Sequence, residues 1–478
     1  MVRPGASEWP RGTGPGHALS PGTIEGAMAH PLTPVKHPLA LSELAPRAVQ
    51  SEIRAMTAEC DRIGGINLAQ GVCDTGVPQV VAEGAIAAIR AGHNIYTRMD
   101  GIARLRRAIA AQVERLHGIA LDPESEVVVT SGASGAYHAT AMALLNPGDE
   151  VLLFEPMYGY HAGTLTSLRV KPVPVALDLP DWTLDLAKAR AAITPRTRAM
   201  LINTPANPTG KVFSRAEIEG LAALACEHDL FVLTDEIYEH FLYDGAEHVS
   251  PLTLPGMRER TIVMSGYSKT FAVTGWRIGY LIADAKWTPA IGYFHDLTYV
   301  CAPAPLQHGV ADGVEQLPAD YYHGLARDHD RKRRMLLAAL DDAGLTPHTP
   351  AGAYYILADA GPIPGRTAAE KARTLLAETG VAAVAGSAFY RAGSPAGENL
   401  LRFCFSKKDA DLAEACRRLR AYPKPCLPRS HRPAVTSDLP RNTQRRQTNL
   451  RSASATGEWP EEDRGKRSGR LVSRQYRR

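Results

Sequence analysis

Four short runs rich in apolar and β-branched residues, at 127–129, 199–203, 231–233 and 261–264, each give way to a cluster of small and polar residues. The clusters are Ser131-Gly132-Ala133-Ser134-Gly135, Asn207-Pro208-Thr209-Gly210, Asp235-Glu236-Ile237-Tyr238, and a longer stretch that holds Ser265, Gly266, Ser268, Lys269, Gly275 and Arg277. Continuous apolar runs of this length predict strands covered on both faces. Helical patterns lie between them. Ser214-Arg215-Ala216-Glu217 has the spacing of a capping box and opens an amphipathic segment through Cys226, with Ile218, Leu221, Ala222 and Ala225 on one face. Residues 101–117 and 320–344 also read as helices. Repeated strand–helix–strand units restrict the chain to an α/β fold, a mostly parallel sheet with crossover helices. In open sheets of this kind ligands bind beyond the carboxyl ends of the strands. All four clusters fall there.

From about residue 330 the pattern changes. A long helix, a strand at Ala353-Tyr354-Tyr355-Ile356, a helix, a strand at 400–405 and a last helix from Asp409 suit a smaller α+β domain. The division expected is therefore a large domain over 71–330 and a small one over 331–423. The ends read differently. Residues 1–37 are rich in Gly, Pro and Ser without periodicity, and Met28 is a plausible alternative start. Residues 424–478 hold fourteen basic and five acidic side chains and few aromatics, so the formal charge of +4 belongs to this tail and the remainder is mildly acidic. Neither end has the apolar content to offset the entropy of chain ordering, and both are expected to be disordered. A basic tail without helical patterning gives no reason to expect a nucleic-acid partner. No uninterrupted apolar run is long enough to span a bilayer, and the N-terminus lacks the apolar stretch of a secretory signal. Seven dispersed cysteines without a Cys-x-x-Cys pair suit reduced thiols in a cytoplasm.

The clusters carry chemistry. A lysine at the exit of a buried strand is desolvated, which disfavours its ammonium form and leaves a nucleophilic amine. That is the requirement for Schiff-base chemistry with an aldehyde cofactor. A following arginine and nearby hydroxyls suit a phosphate.

Taken in order, these motifs resemble the fold type I pyridoxal-phosphate enzymes, specifically the class I and II aminotransferases, over roughly residues 41–422. The resemblance implies pyridoxal 5′-phosphate as cofactor and a set of roles. Lys269 matches the Schiff-base lysine, and Asp235 the carboxylate that pairs with the pyridine nitrogen. Asn207 and Tyr238 match the pair on the ring 3-oxygen. Ser268, Arg277, Ala133 and Ser134 match phosphate ligands, and Tyr158 the aromatic that stacks on the ring. Tyr96 matches a tyrosine that reaches the phosphate of a neighbouring subunit, so a homodimer is expected. Arg402 matches the clamp for the substrate α-carboxylate, and Gly71 a backbone group beside the substrate. Residues 38–70 are expected to pack with the small domain. Gly266 departs from the pattern, since many relatives carry a hydroxyl there, and phosphate binding is expected to lean on Ser268, Arg277 and the 133–134 turn.

The reaction implied is transfer of an amino group from an L-amino acid to a 2-oxo acid in ping-pong order, with a subgroup handling aspartate, aromatic amino acids, glutamine, kynurenine or methionine. No secure match to a second arginine for a side-chain carboxylate is evident. The same lysine, aspartate and ring also support a lyase, a cyclase or an oxidase. A cofactor-binding transcriptional regulator would need a DNA-binding domain that residues 1–35 are too short and irregular to form. No metal site is expected: His93, His138, His161 and His295 fall near the motifs but lack ligand spacing, and read as surface or polar-core residues. Cys73 reads as a small core-filling residue.

Overall fold

The computed structural model describes residues 39–45 and 52–422. The expectations for 1–37, for Met28 as a start and for 424–478 lie outside these residues. Among the described residues thirteen strands are formed: β1 (Ile66–Asn67), β2 (Val127–Ser131), β3 (Glu150–Glu155), β4 (Lys171–Ala176), β5 (Thr197–Asn203), β6 (Phe231–Asp235), β7 (Thr261–Gly266), β8 (Ile278–Ile282), β9 (Thr346–Pro347), β10 (Tyr355–Asp359), β11 (Val381–Ala382), β12 (Val384–Ala385) and β13 (Leu400–Cys404). Seven build one sheet in the order β2-β8-β7-β6-β5-β3-β4. The β4-β3-β5-β6-β7 pairs are parallel, whereas β8 runs antiparallel to both β7 and β2. The fold is thus the α/β type with a mostly parallel sheet.

Both faces of that sheet are covered, which is why its strands lack polar alternation. Met200, Ile202 and Val232 pack against Ile218 and Leu221 of the helix Arg215–Glu227. Their neighbours Leu201 and Leu233 point the other way, into a cluster with Ala136 and Ala139 of the helix Gly132–Leu144. The first of these helices starts where expected. Ser214 Oγ accepts from the Glu217 backbone N–H, and the Glu217 carboxylate accepts from the Ser214 N–H in return.

A second sheet, β12-β13-β10-β9, is antiparallel. Its core holds Ile356, Leu375, Phe403 and Leu412 together with Met56 and Cys60 of the helix Glu52–Arg62 and Leu68 just beyond β1. β1 pairs in parallel with β11, which ties the N-terminal segment to this layer. The helix Ala319–Asp342 runs unbroken across residue 330, so the expected boundary falls within one helix.

Two glycines set the spacing where the sheet meets the cluster loops. Gly266 and Gly279 face each other across β7 and β8. A Cβ on Gly266 would lie 2.7 Å from the Gly279 Cα. One on Gly279 would lie 2.5 Å from the backbone N of Ala133. The missing hydroxyl at Gly266 is therefore part of a close seam of three backbone segments, with no room there for a side chain.

Candidate active site

The loops at the carboxyl ends of β2, β5, β6 and β7 line one cavity of about 530 Å³. β2 passes directly into the helix Gly132–Leu144, whose first turn presents backbone N–H groups without intrahelical partners. Gly132 takes a positive φ of 69°, and a Cβ there would lie 2.3 Å from Arg277 Nη2. The Arg277 guanidinium is thus laid against the start of the helix, and its Nη1 donates to the Thr274 carbonyl at 3.0 Å. Ser268, Ala133 and Ser134 line the same wall. A helix N-terminus, an arginine and two hydroxyls make a corner suited to a phosphate dianion.

Asp235 ends β6, in register with Asn203 on one side and Met264 on the other. Its Oδ2 lies 3.0 Å from His161 Nε2, and its Oδ1 accepts from the Ile237 N–H at 3.3 Å. His161 is buried, edge-on to Tyr137 and Tyr158, each at a ring-centroid distance of 5.3 Å. Tyr158 stacks on Tyr160 at 5.2 Å. His161 is a polar-core residue, within the sequence expectation, and the structure adds that it contacts the Asp235 carboxylate and lines the cavity. The available signal was its position three residues after Tyr158, the residue that caps the helix Gly159–Ser167.

Lys269 leaves the turn after β7 and donates to the Gly71 carbonyl at 2.9 Å. Burial, assisted by the charges of Arg277 and Arg402, pushes its amine down to about 8. A Cβ on Gly71 would lie 2.0 Å from Tyr355 Oη, so glycine lets the chain pass between the lysine and that tyrosine. Tyr355 Oη shares a 2.8 Å hydrogen bond with Tyr238 Oη. Burial raises the phenol pKa of both, that of Tyr355 to about 12.

Arg402, on β13, is fully buried. Its Nη1 donates to Asn207 Oδ1 at 2.8 Å and its Nη2 to the Ala69 carbonyl at 2.5 Å, while its Nε is buried without a partner among the described residues. The guanidinium lies over Tyr355 at 4.3 Å and Phe389 at 4.9 Å from the ring centroids. Arg402 pairs with Leu357 across the sheet, so Tyr355, two residues along, shares its face.

Lys269, Asp235, Tyr238, Asn207, Ser268, Arg277, Ala133, Ser134, Tyr158, Gly71 and Arg402 all border the cavity. Tyr96 does not; it is 79% exposed on the surface. Tyr355, Tyr160 and Arg54 border the cavity without having been singled out in the sequence. Cys73 is buried outside it, 3.1 Å from Thr75 Oγ1.

Residues 63–419 match the model of the family described as aminotransferase class I and II. The chain belongs to that family. This aminotransferase is 38% identical over 392 residues to a probable N-succinyldiaminopimelate aminotransferase of Mycobacterium tuberculosis, covering 80% of its own length and 98% of that relative. It is 33% identical to the methionine aminotransferase of Escherichia coli, with 80% and 99% covered. The solved structure of N-succinyldiaminopimelate aminotransferase from Mycobacterium tuberculosis superposes with a TM-score of 0.77 at 37% identity, with 80% of this chain and all of that one covered. The aminotransferase uses pyridoxal 5′-phosphate to move an amino group from an amino acid to a 2-oxo acid; the lyase, cyclase and oxidase alternatives are not favoured. The donor set suits that cofactor: a lysine of lowered pKa for an aldehyde, a carboxylate for a ring nitrogen, and an anion corner for a phosphate. Among the described residues no helix is long and apolar enough to cross a membrane.

Proposed function

We propose that the aminotransferase holds its cofactor in the 530 Å³ cavity, with Lys269 as the point of covalent attachment. The convergence of the Lys269 amine, the Asp235 carboxylate and the Arg277 corner on one cavity carries this reading. When bound, the cofactor supplies a conjugated ring that accepts electrons from the substrate Cα. Asp235, held by His161, keeps a proton on the ring nitrogen. Asn207 and Tyr238 hydrogen-bond the ring 3-oxygen, and Tyr158 covers one face. Ser268, Arg277, Ala133 and Ser134 bind the phosphate. The Lys269 amine, once free, takes and returns the proton at the substrate Cα. Arg402 binds the α-carboxylate, with Gly71 beside it, and this orients the bond to be broken. Borohydride reduction followed by peptide mapping is expected to place the label on Lys269; a label on another lysine overturns the assignment.

The substrate proposed is an amino acid whose side chain ends in an anionic group. Arg54, on the helix Glu52–Arg62, and Tyr160 border the cavity, and Arg54 Nε donates to Tyr160 Oη at 3.4 Å. A cation at the wall of a cavity this size is suited to the far end of a long dicarboxylic donor, in keeping with the succinylated substrate named for the Mycobacterium tuberculosis relative. Arg54→Met is expected to lower kcat/KM for dicarboxylic donors by about tenfold, one exposed ion pair with a hydrogen bond. Donors such as methionine should change little. Equal losses on both would remove Arg54 from specificity.

A homodimer and a cytoplasmic setting complete the proposal. Ile95 and Tyr96 are exposed, as are Tyr293 and Leu297. Apolar side chains of this size are suited to an isologous interface that places Tyr96 near the partner's phosphate corner. Sedimentation of an active monomer would count against it. The six cysteines among the described residues are unpaired, as suits a reducing compartment. The layer built on β9, β10, β12 and β13, with residues 52–70, is proposed as the smaller of two lobes.

A further inference from the structure

A second polar cluster lies behind the turn that carries Asp235 and Tyr238. Side chains alternate along an extended segment, so while Asp235 faces the cavity, Glu236 turns away from it. The Glu236 side chain is only 2% exposed. It accepts from Thr234 Oγ1 at 3.0 Å, Ser250 Oγ at 2.7 Å and His248 Nε2 at 2.9 Å. Glu239, 12% exposed, is surrounded differently. Ser265 Oγ and Tyr280 Oη both stand 3.4 Å from its Oε1, His117 Nε2 stands 3.5 Å from its Oε2, and His240 Nε2 is 3.9 Å from its Oε1. One ligand atom each from His117, Glu236 and Glu239 fall within 4.8 Å of one another.

One buried and one largely covered carboxylate need compensating charge. Among the described residues no lysine or arginine lies within 4.0 Å of either; their basic neighbours are histidines alone. The separations around Glu239 are also long for hydrogen bonds. Between two of the proposed ligand atoms, His117 Nε2 and Glu239 Oε2, the separation of 3.5 Å is near the spacing of about 3.4 Å between two donor atoms that each sit ~2.0–2.1 Å from one tetrahedral ion.

We propose that His117, Glu236 and Glu239 bind one divalent transition-metal ion, with His248 orienting Glu236 from behind. Imidazole and carboxylate together are a donor set for zinc or manganese. A doubly charged ion balances both carboxylates and leaves the histidines neutral, the form in which they ligate. The ion would pin the C-terminus of the helix Ala103–His117 to the turn after β6, and so hold Asp235 and Tyr238 from the side opposite the substrate. This departs from the expectation of no metal site, because His117 is 119 positions from Glu236 and no local spacing reveals the set.

The test uses the full-length holoenzyme, dialysed against a chelator, titrated with zinc chloride and desalted for elemental analysis. One zinc per chain and a raised thermal midpoint are expected. His117→Asn and Glu239→Gln should each weaken zinc binding at least about tenfold, and His248→Gln by about tenfold as an outer partner. Cofactor absorbance and far-ultraviolet circular dichroism serve as checks on folding. If one variant does not fold, the remaining two decide. Absence of stoichiometric zinc with an unchanged midpoint would show a purely hydrogen-bonded cluster and overturn the proposal. So would zinc bound equally well by the folded variants, which would place the ion elsewhere.

Discussion

Lys269→Ala is expected to lower turnover by about four orders of magnitude, the upper range for losing a positioned proton-transfer group, here compounded by loss of the proposed attachment point. The fold should survive, since the removed side chain borders a cavity and its one hydrogen bond goes to a backbone carbonyl. Steady-state kinetics with any accepted donor would check this, and a residual rate within about a hundredfold of wild type would move the reactive amine elsewhere. The same residue gives a pH signature. With the amine pushed down to about 8, its neutral fraction rises with pH and levels off above that value. Reconstitution of cofactor-free enzyme should therefore accelerate between about pH 7 and pH 9 and then plateau. A rate still climbing toward pH 10.5, the ordinary lysine range, would show that burial does not tune this amine.

Asp235→Ala carries the second large effect. Removing the carboxylate proposed to hold a proton on the ring nitrogen is expected to cost about a thousandfold in kcat, comparable to deleting a dominant electrostatic group at a developing charge. His161→Asn should cost less, about tenfold, because it loosens the carboxylate without removing it. Measuring both variants separates the roles. If His161→Asn is as damaging as Asp235→Ala, the histidine is acting on its own account. If Asp235→Ala turns over near normally, the proton-holding role proposed for Asp235 is wrong.

The fold was largely legible because its strands are buried on both faces. Runs such as 199–203 and 231–233 lack polar alternation for that reason, and their polar ends sit where a parallel sheet exposes its loops. The capping box at Ser214 marked its helix correctly because that signal is local. What escaped depends on contacts distant in sequence. Tyr355 enters the site through a hydrogen bond to Tyr238, 117 positions away, and through the guanidinium of Arg402. His161 pairs with Asp235 across 74 positions. Gly266 read as a departure from the family pattern, because the partner that requires a glycine there, Gly279, is set opposite it by strand register and not by local sequence. Arg54 lies in a segment with no motif, and only the packing of its helix brings it to the cavity wall.

The bonding of Arg402 has a consequence for how ligands enter. Its two terminal nitrogens are already engaged, one by Asn207 and the other by the Ala69 carbonyl. On the proposed assignment an incoming carboxylate competes with these internal acceptors for the same guanidinium. Recognition is then an exchange, in which a ligand with two coplanar oxygens replaces what it displaces and a single-oxygen ligand does not. Asn207 follows β5, Ala69 follows β1, and Arg402 sits on β13. The exchange therefore loosens a latch among three chain segments at the moment of binding, so arrival of the correct substrate doubles as the signal that frees them to rearrange around it.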